Sequence, residues 1–325
     1  MRVLVTGAGG MIGRKLTERL VADGHVGGRA IEALVLHDLQ PPQADSPLVT
    51  AIGGDFAAEG AAAAMLLHRP DLVVHLAGVV SGEAEADFDK GWRVNGDGTR
   101  RLLEAIRAAG LHPRFVYAST EAVFGRPFPP VIPDDLAPQP LTSYGAQKLV
   151  GEALVNDWSR RGFLDGVSIR FPTICVRPGA PNRAASGFFS GIIREPLRGL
   201  PAVLPVPRDV VHTMASPRSA VRFILHAATV DTGPLGGRRA VIPPGVAVSV
   251  GEMVEALRRV GGDQAVQLIE ERPDPAVWGI VQTWPERFEA RRGRELGFEA
   301  EGSFDEIVRV HVEDELGGRV PMAGG

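Results

Sequence analysis

A glycine-rich turn between a buried strand and a helix opens the chain, and it constrains the fold more than any other segment. Residues 2–6 (RVLVT) form a continuous apolar run, which is typical of a strand buried on both faces of a parallel sheet. Residues 7–13 (GAGGMIG) follow directly, and Met11–Ala22 then carries its apolar residues on one helical face. This order of strand, turn and helix predicts the first unit of a parallel α/β sheet.

Short apolar runs and helical patterns continue to alternate over the first 175 residues. The predicted strands cover residues 31–37, 49–52, 72–76, 114–119 and 167–171, and the predicted helices cover 94–109 and 143–160, with an alanine-rich stretch at 57–67. Repeated βαβ units of this kind predict an α/β fold with a Rossmann-type, doubly wound parallel sheet.

Prolines become dense after residue 176, and the regular alternation ends there. Helices are still predicted at residues 186–195, 217–228, 250–260 and 303–315. Ser249 with Glu252 predicts a capping box at the start of one of them, and Ser303 with Glu306 opens the last.

These patterns predict two interleaved parts. We expect a dinucleotide-binding domain over residues 1–175, with part of 210–245 among its last elements. A smaller C-terminal α/β substrate lobe would cover 176–316, and the tail 317–325 would be disordered.

Composition excludes several classes of protein. The single cysteine, Cys175, excludes an internal disulfide framework and a zinc site made of cysteines alone, and it fits a reducing compartment. The eight histidines show no paired metal-ligand spacing. A net charge of −4 does not support nucleic-acid binding, and no apolar run reaches the roughly 18 residues of a membrane span. We therefore expect a cytoplasmic protein without a metal, nucleic-acid or membrane partner.

The glycine turn suits the pyrophosphate of a dinucleotide. Gly7 can form the tight turn out of the strand, Gly10 lets a phosphate approach the backbone, and Gly13 lets the helix pack close to the sheet. The N–H groups at the helix start, among them those of Met11 and Ile12, would then face the phosphates. A plain glycine turn is the alternative, because 40 glycines make the spacing alone weak evidence.

Two carboxylates follow neighbouring strands and are candidates for the adenosine half of the cofactor. Asp38 lies 25 residues after Gly13, where it can accept hydrogen bonds from ribose hydroxyls and would repel a 2′-phosphate. It therefore favours NAD over NADP. Asp55 and its neighbour Phe56 are candidates for the adenine edge, and a helix N-cap is the other role open to Asp55.

The sharpest signal in the chain is a pair of rare residues. Tyr144 and Lys148 lie four residues apart on the predicted helix 143–160 and so share one face. With two tyrosines and three lysines in the chain, chance predicts only about 0.02 such pairs. A nearby cation favours the phenolate over the phenol, whose ordinary pKa is about 10. We expect Tyr144 to be a catalytic base whose pKa is lowered by Lys148, taking a proton from a substrate hydroxyl while a hydride leaves. A solvated helix pair is the alternative.

Together with three further segments, these features resemble the extended short-chain dehydrogenases/reductases of the NAD-dependent epimerase/dehydratase family. The resemblance covers residues 1–230 well and the remainder loosely. The further segments are His75-Leu76-Ala77-Gly78, Asn95-Gly96-Asp97-Gly98-Thr99 and Ser119-Thr120-Glu121-Ala122-Val123-Phe124-Gly125.

The resemblance implies roles for residues that the spacing alone does not assign. Thr120, five residues before Gly125, would complete the active site by orienting the reacting oxygen, with Ser119 as the neighbouring alternative. Asn95 would steady the helix that follows it. The cofactor would lie beside a backbone wall made by Leu76, Ala77 and Gly78, and we assign Asn95, Pro172 and Thr173 to the same cofactor site.

Two departures from the family pattern narrow the reaction. Dehydratases of the family place Asp-Glu after the catalytic threonine, whereas this chain has Glu121-Ala122, so the acid and base for water elimination are not both present. Nucleotide-sugar enzymes usually carry an asparagine shortly after the strand arginine, whereas the run here is Arg170-Phe171-Pro172-Thr173.

Within the family, several segments resemble the members that oxidise the C2 hydroxyl of D-erythronate, a four-carbon sugar acid, to the 2-oxo acid (2-oxo-tetronate) with NAD. The segments are residues 79–85, 142–148, 176–186, 191–197 and 248–253.

A small sugar acid requires a cation for its carboxylate and polar groups for its hydroxyls. Arg177 and Arg183 follow the strand whose end borders the cofactor, and a guanidinium can bind a carboxylate through two parallel hydrogen bonds. Ser81 follows the backbone wall and is a candidate for a substrate hydroxyl, and Ser119, Thr120 and Tyr144 are the other candidate substrate contacts. Solvated surface positions are the alternative for both arginines.

Three other functions stay open at this point. The chain could be a nucleotide-sugar 4-epimerase of the same family, or a relative of L-threonine 3-dehydrogenase. It could also be a non-catalytic dinucleotide sensor or scaffold, although such a protein should have lost Tyr144 or Lys148. For the enzyme we expect a homodimer acting on a small molecule.

Overall fold

The computed structural model describes residues 1–179 and 185–320, and within these it contains fourteen strands and twelve α-helices. The strands are β1 (Arg2–Thr6), β2 (His25–Val26), β3 (Arg29–Ala30), β4 (Ala33–Asp38), β5 (Val49–Gly53), β6 (Leu72–His75), β7 (Arg114–Thr120), β8 (Asp165–Phe171), β9 (Thr173–Ile174), β10 (Ala202–Leu204), β11 (Val211–Ala215), β12 (Ala240–Val241), β13 (Val246–Ser249) and β14 (Ile269–Glu271). The α-helices are α1 (Met11–Asp23), α2 (Ala61–Leu66), α3 (Ser81–Ala86), α4 (Phe88–Gly91), α5 (Thr99–Ala108), α6 (Ser143–Arg160), α7 (Gly187–Leu197), α8 (Pro217–Ala227), α9 (Val250–Gln267), α10 (Pro275–Val281), α11 (Arg291–Glu295) and α12 (Phe304–Glu315).

Seven parallel strands form the main sheet in the order β12-β8-β7-β6-β1-β4-β5. The chain builds outward from β1 to β4 and β5, and then returns to the other side of β1 with β6. Strand order therefore reverses between β1 and β6, and ligands of such sheets bind outside the carboxyl ends of the strands at this point. The predicted Rossmann-type fold is confirmed.

The continuous apolar runs of the sequence are explained by helices on both faces of this sheet. Val3 and Val5 of β1 belong to the core under α1 and α8, whereas Leu4 belongs to the core under α5 and α6. Successive side chains of a strand point to opposite faces of the sheet. Because helices cover both faces here, neither face of the strand is exposed to solvent and both carry apolar residues.

The predicted helix 94–109 begins with a π-helical stretch at Trp92–Gly98 that runs directly into α5. Two glycines let aromatic rings approach this stretch closely. A Cβ on Gly96 would lie 2.8 Å from the Trp92 ring, and one on Gly98 would lie 2.7 Å from the Phe56 ring. A short π-helix inside a longer helix often marks a functional site, and this one holds Asn95.

A second apolar core lies among α7, α9 and α12, beneath a small sheet of strands β13-β11-β9. Strand β9 begins two residues after β8 ends, so this lobe starts at the carboxyl edge of the main sheet. The capping box of Ser249 and Glu252 is present at the start of α9. Later in the chain β12 returns to the main sheet beside β8.

No helix within residues 1–179 and 185–320 has both the length and the apolar character needed to cross a membrane. Of the tail predicted to be disordered, residues 321–325 lie outside the described part of the chain. The homodimer concerns a second chain and stays a prediction.

Candidate active site

The glycine turn after β1 has the shape that a pyrophosphate requires. Gly7 has φ +74°, and a Cβ there would lie 2.6 Å from the Ala77 nitrogen. A Cβ on Gly13 would collide with the carbonyl oxygen of Gly7, so the turn and the helix can meet only through glycine. Gly10 caps α1 without a side-chain hydrogen bond from any described residue, and the first turn carries no acidic residue. The first N–H groups of α1, including those of Met11 and Ile12, therefore fit the phosphates of a dinucleotide.

Asp38, at the end of β4, lies beside this turn. Its carboxylate accepts hydrogen bonds from the backbone nitrogens of Gly9, at 2.9 Å, and Leu39, at 2.7 Å. Each carboxylate oxygen keeps a further lone pair for a ligand. The position suits a partner for ribose hydroxyls, as the sequence predicts.

Asp55 and Phe56, the candidates for the adenine edge, both have contacts within the protein. Asp55 accepts hydrogen bonds from Arg93 and from the Ala57 nitrogen, and although burial opposes ionisation, these bonds keep its pKa below the ordinary value. The N-cap of α2 is Gly60, so a helix-capping role for Asp55 is wrong. The Phe56 ring is buried against His75, with centroids 5.3 Å apart, which leaves only its backbone for a cofactor.

Tyr144 and Lys148 lie in the first two turns of α6, which begins where the Thr142 hydroxyl accepts a hydrogen bond from the Gly145 nitrogen. Lys148 is buried, and its Nζ donates to the Ala118 carbonyl at 2.9 Å. The ammonium lies 5.8 Å from the Tyr144 ring centroid. It also borders the predicted cofactor wall, because a Cβ on Gly78 would lie 3.4 Å from Nζ.

Burial governs the ionisation of this pair. It raises the pKa of Tyr144 to about 12 and lowers the pKa of Lys148 to about 8. The predicted lowering of the Tyr144 pKa by Lys148 is therefore wrong for the free protein, because the cost of desolvating a phenolate is larger than the neighbouring attraction. The charge that opposes burial at the phenol belongs to Arg177.

Thr120 ends β7 next to the start of α6. Its Oγ1 accepts a hydrogen bond from the Ala122 nitrogen at 3.1 Å, which caps the 3₁₀ turn at Glu121–Val123. Gly145 packs on that turn so closely that a Cβ would overlap the Ala122 carbonyl oxygen. The contact brings the ends of β7 and α6 together, and with them Thr120 and Tyr144.

Ser119 has a structural task instead of the predicted contact with substrate. Its buried hydroxyl donates to Glu152 at 2.5 Å, and Arg170 holds both carboxylate oxygens of Glu152 at 2.9 and 2.7 Å. This buried cluster ties β7, α6 and β8 together beneath the site. The sequence pattern did not predict this cluster, although Glu152 lies four residues after Lys148 on the same helix.

Asn95 connects the loop after β6 to helix α6. Its amide exchanges hydrogen bonds with the backbone of Val79, at 2.9 and 3.1 Å, and donates to Gln147 at 2.8 Å. Asn95 was expected to steady the helix that follows it. Its side chain also holds the loop after β6 and helix α6 in place.

Arg177, a candidate substrate residue, follows strand β9 and is held in place by two hydrogen bonds. Its Nε donates to the Ile174 carbonyl at 2.9 Å and its Nη2 to the Ser186 hydroxyl at 3.0 Å. Held in this way, its charge acts on Tyr144. Arg183 lies outside the described residues, and Ser81 is exposed at the start of α3.

His212, which was not predicted as a site residue, forms a hydrogen bond with the hydroxyl of Thr173. The His212 ring donates to the Pro285 carbonyl at 3.2 Å, so its other nitrogen accepts the Thr173 hydroxyl at 2.7 Å. Burial lowers the pKa of His212 to about 4 and keeps the ring neutral. The ring stacks on Phe189, with centroids 5.3 Å apart. Pro172 has no side-chain donor and the hydroxyl proton of Thr173 is used by His212, so neither side chain has a hydrogen-bond donor left for a cofactor.

Comparison with known proteins places the chain among relatives of matching length. The family model described as the NAD dependent epimerase/dehydratase family matches residues 3–231. D-erythronate dehydrogenase from Cupriavidus necator is 44% identical over 319 residues, which cover 97% of this chain and 98% of that protein. D-erythronate dehydrogenase from Haemophilus influenzae is 35% identical over 318 residues, covering 97% of this chain and all of that protein.

Among solved structures, a nucleoside-diphosphate-sugar epimerase from Agrobacterium tumefaciens superposes with a TM-score of 0.96 at 53% identity. The superposition covers 98% of this chain and 96% of the A. tumefaciens chain. The predicted family and the predicted likeness to D-erythronate dehydrogenases are confirmed. The chain belongs to the NAD dependent epimerase/dehydratase family.

Proposed function

We propose that the protein oxidises the C2 hydroxyl of D-erythronate to 2-oxo-tetronate with NAD. It is an NAD-dependent dehydrogenase acting on a CH–OH group, and the proposal adds the substrate and the roles of the residues. Two relatives named for this activity match the chain over nearly its whole length. The structural observation that carries the proposal is the placement of the Arg177 guanidinium, which is held by the Ile174 carbonyl and the Ser186 hydroxyl. From there its positive charge lowers the pKa of the Tyr144 phenol against the effect of burial.

That arrangement matches the chemistry of a 2-hydroxy acid. The carboxylate and the hydroxyl that loses its proton are on adjacent carbons, so the base and the carboxylate anchor must lie close together. Tyr144 would accept the proton, and Arg177 would bind the carboxylate with N–H donors on one edge of its guanidinium. A substrate whose reacting hydroxyl is remote from any anion gives Arg177 no such task.

The remaining residues prepare the site for this reaction. NAD, when bound, supplies the acceptor for the hydride from C2. The turn at Gly7–Gly13 and the carboxylate of Asp38 would hold its pyrophosphate and ribose, and Asp38 would select against a 2′-phosphate. Lys148 would hold positive charge next to the nicotinamide end of the site, and Thr120 would orient the reacting oxygen.

A nucleotide-sugar epimerase is the second candidate, because the similar structure from A. tumefaciens carries that title. Such enzymes usually have an asparagine at the position of Thr173. Here the hydroxyl of Thr173 donates its proton to His212, so it has no hydrogen-bond donor left for a sugar nucleotide. This occupation favours the small acid.

A screen of NAD reduction separates the candidates. Purified protein with NAD should form stoichiometric NADH from D-erythronate and little from L-threonine or UDP-sugars, and Tyr144→Phe is the control for contaminating activity. Conversion of a UDP-sugar to its 4-epimer without net NADH, and no oxidation of D-erythronate, would replace the proposal with the epimerase.

A further inference from the structure

We propose that Tyr117 positions Lys148 for catalysis by presenting its aromatic face to the ammonium. The inference rests on the proposed role of Lys148 in the dehydrogenase reaction. Tyr117 and Tyr144 are the only tyrosines in the chain, and both rings flank this lysine.

The contacts of the ammonium show why a ring is needed there. Nζ of Lys148 lies 5.1 Å from the Tyr117 ring centroid and donates to the carbonyl of the next residue, Ala118, at 2.9 Å. Within residues 1–179 and 185–320 no carboxylate forms an ion pair with Lys148, and Glu152, one turn along α6, is already paired with Arg170. Aromatic faces attract cations within about 6 Å, most strongly where water is excluded.

The Tyr117 ring is held in place from both sides. It is fully buried and stacks on His75 with centroids 5.8 Å apart at 29°. His75 is fixed between the hydroxyls of Thr6, at 2.6 Å, and Thr99, at 3.0 Å. On the other side α6 carries Gly151, where any Cβ would overlap the Tyr117 hydroxyl. A glycine three residues after Lys148 thus lets the ring reach the catalytic face of the helix.

No neighbouring anion in the described part of the chain stabilises the ammonium, so its contacts are the two rings and the Ala118 carbonyl. Burial lowers the pKa of His75 to about 3, so this ring is neutral, and the neighbouring Tyr144 is a neutral phenol in the free protein. The pKa of Lys148, lowered by burial to about 8, is close enough to neutral pH for its protonation to depend on such contacts.

The ionisation of Lys148 can be measured directly, because the chain has only three lysines. In protein labelled with ¹³Cε-lysine, three NMR signals titrate, and the one absent from Lys148→Met belongs to Lys148. We expect Tyr117→Leu to lower the pKa of Lys148 by about one unit, equal to about 1.4 kcal/mol, and Tyr117→Phe to leave it unchanged. Tyr117→Met serves if the leucine variant does not fold.

Phe115→Leu is the matched control, because Phe115 lies on the same strand, is equally buried and also contacts His75, at 5.9 Å between centroids. It should lower the melting temperature without moving the Lys148 signal. Equal Lys148 pKa values in Tyr117→Leu and Phe115→Leu would overturn the proposal, as would a shift of the same size in Tyr117→Phe.

The kinetic readout separates this inference from the proposed function. With D-erythronate, the pH at which the rise of kcat/KM levels off is set by deprotonation of Lys148, and it should move to lower pH in Tyr117→Leu by the same unit. A shift of the NMR titration in protein that does not oxidise D-erythronate would reject the proposed substrate and leave the positioning by Tyr117 standing.

Discussion

Replacing Arg177 by methionine tests the match between the site and a 2-hydroxy acid. The variant keeps a long, flexible side chain and removes the charge. A charge-assisted hydrogen bond contributes about 1.5–3 kcal/mol, so losing a two-bond grip on the carboxylate should cost about 3 kcal/mol, or roughly 100-fold in kcat/KM. Because a carboxylate is bound nearly equally before and during hydride transfer, most of this loss should be in KM.

A smaller second effect follows from the charge of Arg177 on Tyr144. This charge lowers the pKa of the phenol against the effect of burial, so its removal should raise the pKa of the base. The rising limb of the kcat/KM–pH profile should therefore move to higher pH in Arg177→Met. Arg177→Lys, which keeps a positive charge but loses the planar fork, should preserve the limb while still raising KM.

The assay is NADH formation from D-erythronate and from its neutral amide, D-erythronamide, over a range of pH. Wild-type protein should prefer the acid by roughly 100-fold, and Arg177→Met should lose most of that preference. Equal losses for the acid and the amide would refute the carboxylate contact. They would mean that Arg177 supports the loop through Ile174 and Ser186 alone.

Three further variants test the rest of the site. Tyr144→Phe should lower kcat by about 10²–10⁴-fold while NAD still binds, because it removes the proposed general base. A rate within a few-fold of wild type, at a pH where chemistry limits turnover, would reject this role. Asp38→Ala should relax the preference for NAD over NADP, as measured by the ratio of kcat/KM values, and a wild-type enzyme that already uses NADP equally well would contradict the reasoning. Arg170→Met should lower the free energy of unfolding by about 3–5 kcal/mol in urea titrations, because the buried Glu152 loses its cationic partner and keeps only the Ser119 hydrogen bond. A loss below about 1 kcal/mol would show that solvent reaches Glu152.

The sequence was informative where a short apolar pattern determines structure. Strand β1, the capping box at Ser249 and the bounds of α6 agree with prediction, because a buried strand, a cap and a helical face are each written in adjacent residues. The two-residue strand β9 and the short β13 were missed, because pairing with β11 stabilises them and their own propensity does not.

Predictions about the candidate site also held where they depended on adjacent residues and failed where they depended on distant ones. The Tyr144–Lys148 spacing predicted a shared helix face, which the structure contains. The ionisation of Tyr144 was predicted with the wrong sign, since burial by distant segments is invisible in local spacing. The same limit hid the bond from Ser119 to Glu152 and the one between Thr173 and His212, whose partners are 33 and 39 residues apart.

The central claim is that a hydride leaves C2 of a small sugar acid, and isotope transfer tests it most directly. D-Erythronate deuterated at C2 should give NADD, seen by mass spectrometry as one additional mass unit in the reduced cofactor, together with 2-oxo-tetronate. NADH without deuterium would place the oxidation at another carbon, and no reduced cofactor at all would contradict the dehydrogenase account.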